Sequence, residues 1–239
     1  MLTKSQIKLI TSLGQKKFRI QHQLFIVEGV KGIKEFLNSS LELHTLFTTE
    51  TIFEAPTQKT VSVTNAELKK LSALKTPNTA LAVFKIPKSN PINENALIVA
   101  LDDVRDPGNL GTIIRLCDWF GVKDLVCSKA TVDCFNTKVV QATMGSLTRV
   151  NVSYLDLETF LANSKMPKFG TFMDGKNVYE MELPKQGIIV MGNEANGISK
   201  AIEQLIDQKI SIPRFGNLQA TESLNVATAT SIFLSEFKR

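Results

Sequence analysis

The sequence predicts an α/β protein: a small α/β domain followed by a larger one built on a mostly parallel, doubly wound sheet. Short apolar runs that read as strands alternate with segments of helical period along nearly all of the 239 residues. Beyond residue 96 several of these runs stop abruptly in small polar residues, the way a ligand cup is built at strand ends. The stretch IPKSNPINEN at 86–95 holds two prolines, three asparagines and a serine between two apolar strands. It separates a domain at 1–90 from one at 96–239, with 91–95 as the linker.

Leu2, Ile7, Leu9, Ile10 and Leu13 give a weakly helical start, and QKKFRIQHQ then gathers Lys16, Lys17 and Arg19 around Phe18. Cations with an interleaved ring suit phosphate contact plus base stacking, while Phe18 fits the core equally well. LFIVEG (24–29) reads as a buried strand closed by Gly29, and Val30, Ile33, Phe36 and Leu37 share one helical face after it. LELHTLFTT (41–49) and KTVSVT (59–64) alternate as strands, NAELKKLSAL opens a helix with Asn65 as its cap, and TALAVFKIP (79–87) is a further strand.

ALIVALDDV (96–104) is a continuous apolar strand ending in acids, followed by the turn RDPGNLG. Leu110, Ile113, Ile114 and Cys117 fall at helical spacing, so a helix runs to about Gly121 with Arg115 off the apolar stripe. Gly111 inside that helix costs about 1 kcal/mol against alanine unless close backbone approach requires it. KDLVCS (123–128) is a strand, TKVVQATMGSLTRV (137–150) a helix running into strand RVNVSYL, LETFLANSK a helix, KFGTFMD a strand and GKNVYEMELP a loop. GIIVMGN, SKAIEQLID, QKISIP and a closing helix from about Ser223 complete the β/α pattern.

Composition narrows the function. An apolar share of 43% supports a sizeable core, no run of about 18 apolar residues exists, and Lys4 and Lys8 interrupt any apolar leader, so a cytoplasmic protein is expected. Cys117, Cys127 and Cys134 lack CxxC spacing and read as buried apolar residues. Only His22 and His44 are present, which leaves little for a Ser/His/Asp hydrolase or a histidine metal site, and no metal is expected. Residues 1–92 carry 13 Lys/Arg against 6 Asp/Glu, whereas 93–239 carry 15 against 17. A basic module beside a near-neutral one fits a phosphate-backbone grip next to a chemical site, and it equally fits a solvated lysine surface.

No GxGxxG, GxxxxGK[ST] or HExxH is present. Three other strand-end clusters stand out: DDVRDPGNLGTIIR, VMGNEANGIS, and ISIP with SLNVA. In this order they resemble the SpoU/TrmH family of RNA ribose 2′-O-methyltransferases, through Asn109, Gly111 and Arg115, then Gly192, Glu194 and Gly197, then Pro213, Ser223, Leu224, Asn225 and Ala227. KKFR followed by FIVEG resembles the N-terminal SpoU substrate-binding domain of the family, a small α/β (L30e-like) fold, so nearly the whole chain is covered.

The resemblance implies a C-terminal α/β trefoil-knot methyltransferase domain, S-adenosyl-L-methionine as cofactor, a homodimer, and structured RNA as substrate, ribosomal before transfer RNA. It implies cofactor contacts at Met191, Gly192, Asn193, Ile212, Leu224 and Asn225, and catalytic positions at Asn109, Arg115, Glu194, Ser223 and Asn225. RNA contacts are expected at Lys16, Lys17, Arg19 and Arg115. The family's arginine is implicated in activating the hydroxyl; since a neutral guanidine is rare, a cation that grips phosphate and stabilises developing alkoxide is the better physical reading. Without the resemblance Leu224 reads first as core, and Glu194 also fits an acid favoured at a helix N-terminus. RFGNLQATE (214–222) is longer than the family's usual link and puts substrate geometry in question. Two rivals remain: a noncatalytic RNA-binding protein on the same fold, and methylation of a base.

Overall fold

The structure is a computed structural model that describes residues 2–77, 79–215 and 223–239. Up to the linker it runs α1 (Lys4–Ser12), α2 (Lys16–His22), β1 (Leu24–Glu28), α3 (Val30–Leu37), β2 (Leu43–Thr48), β3 (Thr60–Ser62), α4 (Asn65–Leu71) and β4 (Ala80–Lys85). Beyond it come β5 (Leu97–Leu101), α5 (Pro107–Trp119), β6 (Asp124–Ser128), α6 (Thr137–Thr143), β7 (Asn151–Leu155) and α7 (Leu157–Asn163). The chain ends with β8 (Lys168–Asn177), β9 (Gly187–Met191), α8 (Lys200–Glu203), β10 (Gln208–Ser211) and α9 (Val226–Lys238). Among the described residues no helix is long and apolar enough to cross a membrane.

Two compact units result, one from 1–88 with 133–148, the other from 89–132 with 149–239. In the first, the sheet order is β1-β4-β2-β3, with β4 antiparallel to β1 and β2 and β3 parallel to β2. Alternation along β1 sends Leu24 and Ile26 into a cluster with Ile10, Leu13, Phe47 and Leu68. Phe25, between them, meets the rings of Phe36, Phe84 and Phe135 at centroid distances of 5.7, 6.1 and 4.7 Å. Phe135 belongs to the segment 133–148, which a boundary drawn in chain order leaves with the other unit. Its helix α6 packs on β1.

Helix starts and stops follow side-chain chemistry. Thr64, one residue before the expected Asn65, caps α4: its hydroxyl accepts from Glu67 N while the Glu67 carboxylate accepts from Thr64 N, a reciprocal capping box. The helix expected over 137–150 ends at Thr143, because Met144 (φ 51°) and Gly145 (φ 96°) turn left-handed. A Cβ on Gly145 would lie 2.7 Å from Glu35 Cβ, so close approach fixes the glycine.

Among its described residues the second unit carries six strands, all parallel, in the order β10-β8-β9-β5-β6-β7. β5 and β9 are buried along their whole length, as interior strands covered on both faces must be. Ile98, Ala100, Val126, Ile188 and Val190 cluster with Leu157, Leu161, Ile198 and Ile202. Leu110, Ile113, Ile114 and Cys117 form the buried stripe of α5, which packs against α9. Asp106 caps α5 with Pro107 in its first turn, and the strand read as KFGTFMD continues through GKN to Asn177. The candidate site lies beyond the carboxyl ends of β5, β9 and β10.

Candidate active site at the strand ends

Three segments far apart in sequence meet in one hydrogen-bonded chain. Asn225, the N-cap of α9, accepts from Ala227 N (2.9 Å) and Thr228 N (3.2 Å) through Oδ1, which leaves its Nδ2 to donate to Asn109 Oδ1 at 2.8 Å. Asn109 Nδ2 in turn donates to Glu194 Oε1 at 3.0 Å. Each amide is therefore oriented by its neighbours, and the chain is polarised from the α9 backbone to the Glu194 carboxylate. Glu194 also accepts from Arg105 N and Asp106 N at 3.4 Å each, so it spans the entry to α5.

The loop after β9 is held as tightly. Asn193 pairs its backbone with Gly197 in both directions at 2.9 Å, its Oδ1 accepts from Ala195 N and Asn196 N, and its Nδ2 donates to Asp103 O at 2.6 Å. The loop folds back so closely that a Cβ on Gly192 would lie 2.2 Å from Gly197 C and 2.3 Å from Ile198 N. Gly197 is left-handed (φ 67°). Asp102, 8% exposed at the end of β5, accepts from Ser199 N at 2.8 Å and anchors the far side of this loop.

Of the expected catalytic set, Asn109, Glu194 and Asn225 are joined directly. Ser223 is exposed two residues before Asn225, and the exposed side chain of Arg115 makes no hydrogen bond or ion pair with another described residue. Arg115 lies six residues beyond Asn109 on α5, roughly 9 Å along the axis. Of the cofactor positions, Met191 is buried, Ile212 half-buried and Leu224 47% exposed, an apolar side chain left open beside the polar chain. Asn193 spends its side chain and its backbone on loop shape. Most of the loop at 214–222, including Gly216 and Glu222, lies outside the described residues.

Lys16 and Lys17 are exposed on α2, with Lys17 Nζ 4.7 Å from the Phe18 ring centroid and the Phe18 and His22 rings stacked at 6.5 Å. Arg19 differs: it is 2% exposed, pairs with Asp133 Oδ2 at 2.5 Å and donates to the carbonyls of Leu13 and Gly14. A guanidinium so enclosed cannot meet an external phosphate, which corrects the expectation of an RNA contact there.

Sequence reasoning passed over Asp103 and Arg105, although the acids ending β5 were visible. Asp103 adopts a left-handed backbone (φ 59°) and takes the Arg105 guanidinium in a two-pronged ion pair, Nε to Oδ1 at 2.8 Å and Nη2 to Oδ2 at 2.7 Å. That carboxylate raises the already high pKa of Arg105 further. Two hollows among the described residues of the second unit, about 340 Å³ along β8 and β10 and about 280 Å³ beyond β5, β6 and β7, include none of the expected site residues.

Residues 96–235 match the model of the SpoU rRNA Methylase family, and 4–82 match the MRM3-like substrate binding domain. A Bacillus subtilis protein named 23S rRNA (guanosine(2553)-2′-O)-methyltransferase RlmP is 28% identical over 96% of this chain and 94% of its own. The Neisseria meningitidis 23S rRNA (guanosine-2′-O-)-methyltransferase RlmB is 30% identical, over 62% of this chain and 60% of its own. A solved structure from Porphyromonas gingivalis, assigned to the TrmH family of RNA methyltransferases, superposes with TM-score 0.91 at 36% identity, covering 99% of this chain and 98% of that one. The AdoMet-bound rRNA methyltransferase of Sinorhizobium meliloti gives 0.86 at 28%, covering 100% and 95%. The chain belongs to the SpoU rRNA methylase family.

Proposed function

We propose that the protein transfers a methyl group from S-adenosyl-L-methionine to a ribose 2′-hydroxyl of ribosomal RNA. The observation that carries this reading is the chain Asn225–Asn109–Glu194, which ties together residues 116 and 85 positions apart at the strand ends. The relatives' names supply the ribosomal substrate. The residues present fit the cofactor: Gly192 lets backbone close on backbone at the end of β9, while the half-buried Ile212 and the open Leu224 offer apolar surface at the strand ends. When bound, S-adenosylmethionine supplies an electrophilic methyl on a sulfonium. Asn109, Glu194 and Asn225 keep the site in one geometry, Ser223 hydrogen-bonds near the reacting hydroxyl, and Arg115 grips the adjacent phosphate and offsets charge developing on the 2′-oxygen. Lys16 and Lys17 hold RNA backbone, and Arg19 drops out of that set because it is enclosed. The same reading carries a knotted C-terminal path, a homodimer, and the cytoplasm as the compartment of its substrate.

Labelled cofactor with unmethylated ribosomal RNA should give a product whose label sits on ribose and makes the following linkage resist alkali. Label confined to bases would overturn the reaction class, and absence of cofactor binding would favour a noncatalytic RNA-binding role. Arg115→Ala should lower kcat/KM by about 100-fold or more, on the order of 3 kcal/mol, while cofactor affinity changes little. Unchanged turnover would remove Arg115 from the mechanism.

A further inference from the structure

Arg105 sits on the loop between β5 and α5, 71% exposed, with its side-on edge bound by both oxygens of Asp103. That pairing uses Nε–H and one N–H of Nη2. The end-on edge, formed by Nη1 and the second N–H of Nη2, carries no hydrogen bond among the described residues. Two parallel N–H groups at that edge match two oxygens of a phosphate.

The support beneath this guanidinium is fixed from several sides. Asp103 N donates to Ser128 Oγ at 2.9 Å, Asp103 O accepts from Asn193 Nδ2 at 2.6 Å, and Arg105 N reaches Glu194 Oε2 at 3.4 Å. Holding a non-glycine residue left-handed at φ 59° is unfavourable and persists where the surroundings impose it, commonly at functional sites. An exposed ion pair contributes little to stability, so so much anchoring is not explained by the pair's own strength. It does explain a pre-set cation: Arg105 is aimed outward, joined through Glu194 to Asn109 and through Asn193 to the loop after β9.

We propose that Arg105 is a substrate-contacting residue whose end-on edge grips a backbone phosphate of the RNA close to the nucleotide to be methylated. The proposal rests on the RNA-methylation reading above. It assigns Arg105 to binding and register, with Asp103 as its positioning residue.

The test compares wild type, Arg105→Ala and Arg105→Lys as full-length protein. The readouts are binding to in vitro-transcribed, unmethylated ribosomal RNA across a salt series, and binding of S-adenosylmethionine alone. Arg105→Ala should weaken RNA binding roughly tenfold and reduce the slope of log affinity against log salt by about 1, with cofactor affinity held within about twofold. Arg105→Lys should recover the slope but not the full affinity, since an ammonium cannot serve two planar partners at once. Wild-type RNA affinity and slope in Arg105→Ala would overturn the proposal. So would parallel loss of cofactor binding and thermal stability, which would make Arg105 a loop-shaping residue. If wild type itself neither binds nor methylates the RNA, the functional reading fails instead.

Discussion

Asn225 carries two duties on one amide: its oxygen caps α9 and its nitrogen orients Asn109. Substitution can separate them. Asn225→Asp keeps an acceptor for the cap, and a carboxylate suits a helix N-terminus, but it sets oxygen against Asn109 Oδ1. Flipping Asn109 would only move the mismatch to Glu194. The expected result is a melting temperature within a few degrees of wild type and a kcat/KM lower by roughly 10–100-fold, about 1.4–3 kcal/mol. Asn225→Ala should lose both, with about 1 kcal/mol of stability gone from the cap. Equal activity in Asn225→Asp and wild type would show that the polarised chain does not set the site. At this scale the motif residues were legible but their partners were not. Gly192 stood out in the sequence, yet its cause is the approach of Gly197 and Ile198 across it, which no local pattern encodes.

Helix α2 shows how one short element mixes two roles. Lys16 and Lys17 face outward, while Arg19 turns inward to Asp133, 114 residues away, and to the carbonyls of Leu13 and Gly14. Removing one partner of such a pair strands a buried charge. Arg19→Met should therefore cost about 3–5 kcal/mol of stability in the first unit, and adding Asp133→Asn should recover part of it in a double-mutant cycle of thermal unfolding. Lys16→Ala with Lys17→Ala should leave stability within about 0.5 kcal/mol and weaken RNA binding with a smaller salt slope. A stable, fully folded Arg19→Met variant would refute the structural role. Element type was readable where period was clean, as for Leu110, Ile113, Ile114 and Cys117, all buried on α5. Ends were less readable, because Thr64 and Asn65 are both good caps and only Glu67, three residues after Thr64, decides between them. The stop of α6 at Thr143 was hidden too, since it depends on Gly145 lying against Glu35.

Among the described residues, both units leave large apolar side chains open to solvent: Ile20, Ile52 and Met144 in the first, and five in the methyltransferase unit. Trp119 is 84% exposed, Phe215 83%, Met173 54%, Leu224 47% and Tyr179 38%. Scattered exposed apolar residues are ordinary, and Trp119, a bare indole at the end of α5, is the most exposed of them and the surface on which the homodimer reading can be tested. A second copy of the chain is the occupant that the homodimer reading supplies. Light scattering at micromolar concentration should then give about 53 kDa, twice the chain mass of about 26 kDa. Trp119 is the chain's one tryptophan, so its emission reports on this face without labelling. Dilution through the dissociation range should shift that emission to the red as the indole meets water. If the homodimer reading holds and Trp119 lies in its interface, Trp119→Glu places a charge there, and the expected product is a folded monomer of about 26 kDa with reduced methyl transfer. A wild-type mass of about 26 kDa at micromolar concentration, with emission independent of dilution, would remove the homodimer and leave these residues to be explained by RNA contact alone.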